Sequence, residues 1–305
     1  MAKTIGVIVS DRILTGLVAD TELEGPPLAY PEGRDEDDSL VELHTDLLVE
    51  TLCQQIVKVA SGKEISAIGV ALPGLMRNGV VEDSPNLPQL KGARVGELLA
   101  GKLRGHAINA PVMVLNDADG MAAGLAAAHG KLNSLVRVWT LGIGIGYGRY
   151  PFLPGVWEGG HSVVTLDDKE RFCGCGGRGH MEGIMGHRAM RLRFLDMEPE
   201  EVFEQAAKCT PTGAPVDQRC LDFKKLWHKA LAAATATSVH QEGGGKFFLT
   251  GFNARFIDLP MLRDYLQQMV KMSPLQGYSL EVVKDDPVAR IVGAAITAEQ
   301  QAGVR

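Results

Sequence analysis

Short aliphatic runs of strand length alternate with stretches of helical periodicity along the whole chain, and this alternation restricts the fold more than any single motif. TIGVIV (4–9) and LTGLVAD (14–20) flank a polar turn and predict a buried hairpin. Ser39 and Glu42 form a capping box ahead of a helix expected over 40–60, where Leu40, Leu43, Leu47 and Leu48 recur at helical spacing. A strand over 65–74, a polar loop, a helix over 94–104, a strand over 112–117 and an alanine-rich helix from 118 follow. A second half of similar layout starts with a strand over 135–150 and becomes mainly helical over 180–243. It closes with a strand (246–251), a helix near 259–272, a strand (278–283) and a helix from Pro287. Strands and helices in this order, with parallel crossovers, predict an α/β protein. The 305 residues are enough for two domains with a cleft between them, the usual place for a small-molecule site.

Composition removes several function classes. The net charge of −6 argues against a nucleic-acid partner, because a basic face is what neutralises phosphates. The N-terminal apolar run gives way to Ser10, Asp11 and Arg12, so it reads as a first strand and not as a signal peptide. No run approaches the roughly 18 apolar residues of a membrane span. The five cysteines (Cys53, Cys173, Cys175, Cys209 and Cys220) are sparse and odd in number. That argues against a disulfide framework and for a reducing, cytoplasmic setting.

Three segments carry chemistry. CGCGGRGHME (173–182) places Cys173, Cys175 and His180 within eight residues, and His161 of WEGGHS stands twelve residues before Cys173. Thiolates and imidazoles are zinc's preferred ligands, and these four residues would close a tetrahedral site. The competing reading is a mobile loop with two reduced thiols. Asn116 and Asp117 stand where a strand ends and a helix begins. Either residue could simply cap that helix. A carboxylate at the carboxyl end of an α/β strand is also well placed to act as a general base. GIGIGYG (142–148) follows a strand, and its alternate glycines suit either a phosphate held by backbone N–H groups or a bulged strand crossing.

In this order, the motifs resemble the ROK family of repressors and kinases. They are ALPGLM (71–76), SPNLP (84–88), LNDADG (115–120), TLGIGIGYG (140–148), EGGH (158–161), CGCGGRGHME and DDPVARIVGAA (285–295). The resemblance covers about residues 4–303 and implies the two-domain hexokinase and actin-like (ribonuclease H-like) fold. The smaller domain is expected at 1–117 with about 290–305, and the larger at 118–289 with a zinc-binding loop. It implies an ATP-dependent hexose kinase of glucokinase type, acting as a homodimer, with Asp117 as base. An aspartate of ordinary pKa near 4 is ionised at neutral pH and can accept the sugar hydroxyl's proton. Sugar contacts are implied at Gly74, Asn86, Asn116, Asp117, Glu158, His161 and Glu182. Nucleotide contacts are implied at Gly142, Gly144, Gly146 and Gly251, and structural zinc at His161, Cys173, Cys175 and His180. His180 stands where the family has cysteine, which leaves the site one negative charge poorer. Mg-ATP is the implied donor.

The chain departs from the family at the first phosphate loop, usually Asp-x-Gly-Gly-Thr, where it reads Ile8-Val9-Ser10-Asp11-Arg12. Losing two hydrogen bonds to a charged phosphate costs about 3–6 kcal/mol, or roughly 10²–10⁴-fold in affinity. Arg12 could offset this only by facing the phosphate itself. Ile143 replaces a usual threonine, and LTGFNA (249–254) keeps part of a glycine run. A non-catalytic sugar sensor is therefore the alternative reading. A DNA-binding repressor is not expected, since the first strand begins at about residue 4 with no helix-turn-helix ahead of it.

Overall fold

The computed structural model describes residues 3–33, 40–155, 158–271 and 277–303. Its chain forms two compact units, Met1–Val138 with Gly148–Trp157 and Asp286–Arg305, and Trp139–Tyr147 with Glu158–Asp285.

The first unit contains β1 (Lys3–Val9), β2 (Ile13–Ala19), β3 (Glu22–Leu23), β4 (Leu28–Tyr30), α1 (Thr45–Ala60) and β5 (Ala67–Leu72). The hairpin strands β6 (Leu75–Arg77) and β7 (Val80–Asp83) follow, then α2 (Val95–Arg104), β8 (Val112–Asn116) and α3 (Asp117–Ala128). The sheet order is β3-β2-β1-β5-β8, with β4 also on β2. β1 pairs antiparallel with β2 and parallel with β5, and β5 pairs parallel with β8. β1 is central and buried on both faces, which is why it reads as one continuous aliphatic run. Successive side chains of a strand point to opposite faces. Ile5, Val7 and Val9 accordingly share a core with Leu48, Leu52 and Ile56 of α1 and Leu99 and Leu103 of α2. Ile8 joins Ala71, Leu115 and the chain's last helix on the other face.

β9 (Val136–Leu141), β10 (Ile145–Tyr150), β11 (Gly245–Thr250) and β12 (Tyr278–Val282) form a second sheet, ordered β10-β9-β11-β12. The second unit takes Trp139–Leu141 of β9, Ile145–Tyr147 of β10 and all of β11 and β12. Its helices are α4 (Met181–Met185), α5 (His187–Arg193), α6 (Pro199–Ala207), α7 (Gln218–Glu242) and α8 (Leu259–Met269). Trp139, Leu141, Phe247 and Leu249 pack against Trp227, Leu231 and Val239 of α7 and Leu262 and Leu266 of α8. The polar edge of Trp139 is satisfied inside this core, its Nε1–H donating to Thr235 Oγ1 at 3.1 Å. The chain ends with α9 (Pro287–Gln301), which returns to the first unit and is N-capped by Asp286. Among the described residues no helix is long and apolar enough to cross a membrane.

Several elements differ from expectation for reasons visible in the packing. The predicted break at 117/118 falls inside the first unit, because α3 lies directly on α9. A Cβ on Gly124 would come 1.8 Å from the Ala289 carbonyl oxygen, and one on Gly293 would come 1.8 Å from that of Gly120. The helix expected over 40–60 begins at Thr45, after a 3-10 turn at Leu40–Glu42. Gln89 draws this lead-in away from the helix, donating to the Leu40 carbonyl at 2.8 Å and accepting from Thr45 Oγ1 at 2.6 Å. Ser39 lies outside the described residues, and His44 occupies the N-cap. The strand expected over 135–150 is two strands separated by residues 142–144, where Gly142 N–H turns back to the Gly144 carbonyl at 3.0 Å. The helical stretch over 180–243 is four helices, and β6 and β7 occupy much of the predicted loop after residue 74.

Candidate functional site

In the first unit the candidate residues gather at the carboxyl ends of β5 and β8. Asn116 closes β8 and N-caps α3: its Oδ1 accepts the Ala118 N–H at 2.8 Å. Its Nδ2 donates to the Gly74 carbonyl at 2.8 Å, joining two of the predicted sugar residues directly. Ser84 Oγ donates to the Pro73 carbonyl at 2.6 Å, which brings the segment carrying exposed Asn86 to the same strand end. The capping role therefore belongs to Asn116, and Asp117, half-buried, is the first helical residue.

Asp119, two residues further on, was not singled out by sequence reasoning, and its carboxyl is strongly perturbed. It is 7% exposed, and its Oδ1 accepts the Arg149 N–H at 3.0 Å. Burial pushes its carboxyl up to about 7, the Arg149 N–H opposes this, and the Asp117 charge adds to the rise.

The β1–β2 turn is closed on itself. Ser10 N–H donates to the Arg12 carbonyl at 3.0 Å, and Ser10 Oγ donates to Asp11 Oδ1 at 2.7 Å. The Arg12 guanidinium is spent on main-chain carbonyls: Nε reaches Pro31 at 3.1 Å, and Nη2 reaches both Pro31 and Glu32, the latter at 3.0 Å. Arg12 holds β4's exit in place and is not turned outward toward an anion.

In the second unit the four predicted ligands meet. His161 Nδ1 and His180 Nδ1 are 3.3 Å apart, Cys173 Sγ is 3.4 Å from His161 Nδ1, Cys175 Sγ is 3.3 Å from His180 Nδ1, and the two sulfurs are 3.4 Å apart. All four donor atoms lie within 4.8 Å of one another. A tetrahedral ion with bonds of about 2.0–2.1 Å to nitrogen and 2.3 Å to sulfur has edges of about 3.3–3.8 Å, so the four close pairs come near its edges and one bound ion would draw any longer separation in. The glycines make the loop possible, since a Cβ on Gly177 would come 2.0 Å from the His180 ring and Gly179 adopts a φ of 68°. Burial, with the neighbouring Cys175 and Glu182, pushes the Cys173 thiol up to about 12, and burial beside His161 lowers the His180 pKa. A cation reverses that balance by stabilising thiolate and neutral imidazole. The other nitrogen of His161, Nε2, lies 3.4 Å from Glu158 Oε2, the orienting carboxylate common behind a metal-ligating histidine.

Glu182 takes a position the sequence did not suggest. Its Oε2 accepts the Ile145 N–H at 3.0 Å, at the edge of the glycine-rich turn. At the start of that turn, the Gly142 carbonyl accepts from His187 N–H at 3.0 Å and from Asn253 Nδ2 at 2.9 Å. Asn253 is fully buried, and its Oδ1 lies 3.3 Å from His187 Nδ1. Neither residue was picked out from the sequence. A polar residue two positions after Gly251, just past the end of β11, was the available signal. Gly251 must be glycine, because its φ is 94° and a Cβ would meet the Leu141 carbonyl at 2.4 Å. Gly146 lies within β10, and Ile143 at the turn's tip is 68% exposed.

The family model of the ROK family matches residues 41–241, about two thirds of the sequence. The chain belongs to the ROK family. It is 28% identical over 269 residues to a glucokinase of Pyrobaculum calidifontis, covering 80% of this ROK chain and 82% of the relative. Its fold is similar to that of a ROK hexokinase from Thermus thermophilus, with a TM-score of 0.77 and 21% identity over 99% of this chain and 100% of the other. A ROK family transcriptional regulator, a homolog of the E. coli MLC protein, matches at a TM-score of 0.68 and 18% identity, covering 98% of this chain and 78% of its own. The α/β actin and hexokinase-like fold is thus common to kinases and regulators, and within the ROK family it does not by itself select between them.

Proposed function

We propose that this ROK chain is an ATP-dependent hexose kinase of glucokinase type. The observation that carries this reading is Asp117 at the carboxyl end of β8, set as the first residue of α3 by the Asn116 cap, which is itself tied to the Gly74 carbonyl. Asp117 accepts the proton of the attacking hydroxyl as the γ-phosphoryl of Mg-ATP passes to that oxygen and ADP leaves. The sugar contacts of this reading are Gly74, Asn86, Asn116, Glu158, His161 and Glu182. Gly142, Gly144, Gly146 and Gly251 admit the nucleotide's phosphates close to the backbone. His161, Cys173, Cys175 and His180 hold a structural zinc, which orients His161 and the start of α4. The 28% identity to a glucokinase supports the substrate class.

The test is sugar-dependent ADP release from Mg-ATP across aldohexoses, ketohexoses and N-acetylhexosamines. Release no greater than that of an Asp117→Asn control across the panel removes the kinase reading. Metal analysis of unchelated protein checks the zinc assignment independently, at about one zinc per chain.

The closed β1–β2 turn supports a second reading, a sugar-binding protein without phosphoryl transfer. Arg12 is bonded to Pro31 and Glu32 and replaces none of the missing phosphate donors. Calorimetric hexose binding without sugar-dependent ADP release selects this alternative.

A further inference from the structure

The metal cluster and the glycine-rich turn are joined by one short stretch of chain. His180, at a ligand position, is also the N-cap residue of α4, and Glu182 lies in that helix's first turn. One carboxylate oxygen of Glu182 accepts the Ile145 N–H at 3.0 Å, while the other lies 3.7 Å from Cys173 Sγ. Glu182 and its neighbour Gly183 are both closely packed. A Cβ on Gly144 would come 2.6 Å from Glu182 Oε2, and a Cβ on Gly183 would come 2.8 Å from the Cys173 backbone nitrogen. Just past the far end of α4, His187 N–H holds the Gly142 carbonyl. The turn over 142–145 is therefore attached at both ends to residues 182–187, and those residues rest on the ligand loop.

We propose that Glu182 is a positioning residue through which metal occupancy of the cluster sets the geometry of the glycine-rich turn. The inference rests on the metal reading above and adds a route from the metal to a turn that contains no ligand. Four lone-pair donors within 4.8 Å of one another are held together by a shared cation and lose that common bond without one. When the ion leaves, the ligand loop relaxes, and the backbone contact between Cys173 and Gly183 carries that movement into α4. Glu182 then loses its alignment with the Ile145 N–H, and one end of the turn is released. The metal thus orders the segment assigned to the nucleotide as well as the segment assigned to the sugar.

Amide hydrogen exchange on the full chain tests this with zinc bound and after chelation, in wild type, Glu182→Ala and Glu182→Gln. In wild type, chelation should accelerate exchange at Ile145 about tenfold, the loss of one hydrogen bond, and leave Phe247 in β11 unchanged. Glu182→Ala should exchange fast at Ile145 with or without zinc while still holding the metal. Glu182→Gln keeps an amide oxygen to accept the bond and should restore both the protection and the response to zinc. The coupling is overturned by an Ile145 rate that ignores zinc in wild type whose loading and stripping are verified by metal analysis. It is equally overturned by a zinc response that survives in Glu182→Ala, or by acceleration at Phe247 matching that at Ile145. A chain that takes up no zinc overturns the metal reading and the coupling together, and metal analysis alone identifies that case.

Discussion

Replacing Asp119 with asparagine should stabilise the first unit, and more at pH 8 than at pH 5. The carboxyl is 7% exposed with one hydrogen bond, from Arg149 N–H, and burial raises its pKa from 3.8 to about 7. The folded state therefore retains a proton that the unfolded chain releases, so stability falls as pH rises from about 4 to 7 and is level above that. With these two pKa values, the loss from this one group is about 2 kcal/mol at pH 5 and about 4 kcal/mol at pH 8. Asparagine keeps an oxygen for the Arg149 N–H and does not ionise, so Asp119→Asn removes the penalty without removing the bond. Urea unfolding followed by circular dichroism, for both proteins at both pH values, gives the comparison. The variant should gain about 2–3 kcal/mol more over wild type at pH 8 than at pH 5. An equal difference at the two pH values, or a variant less stable than wild type at pH 8, would refute the assignment of a desolvated carboxyl.

The second unit carries a group of opposite sense. His228 is fully buried, its Nδ1 bonded to the Lys224 carbonyl at 2.7 Å and its Nε2 accepting the Asp258 N–H at 2.8 Å, and burial lowers its pKa to about 4. Below pH 6.5 the unfolded chain takes a proton that the folded imidazole refuses, so this unit should lose about 3 kcal/mol between pH 6.5 and 4. His228→Gln should flatten that slope in the same urea assay. Arg12→Ala should lower stability by about 1–3 kcal/mol, because its carbonyl bonds are lost. The KM for ATP, where turnover is measurable, should not change, and a rise would show that Arg12 reaches the phosphates. Gly124→Ala forces a methyl to 1.8 Å from the Ala289 carbonyl oxygen and should separate α3 from α9 at a cost of about 1–3 kcal/mol or more, read from the thermal midpoint.

Periodicity alone located most strands and helices, because β1, β5, α1 and α9 have apolar patterns set by which faces are buried. The residues of the candidate metal cluster were also legible, since two thiols and an imidazole stand within eight residues with glycines between them, and the fold brings His161 to them. What the sequence could not show depends on contacts between distant residues. Glu182 meets Ile145 across 37 positions, Asn253 meets Gly142 across 111, and Arg12 is occupied by carbonyls 19 and 20 residues away. The placement of α3 in the first unit also follows from backbone-to-backbone contact with α9, which glycine permits but does not announce. Residue type and local spacing determined which elements form and which donors are present, since those follow from chemistry within a few residues. Only the tertiary structure decided which donors are already engaged, because a hydrogen bond is satisfied by whichever partner the fold brings within 3 Å.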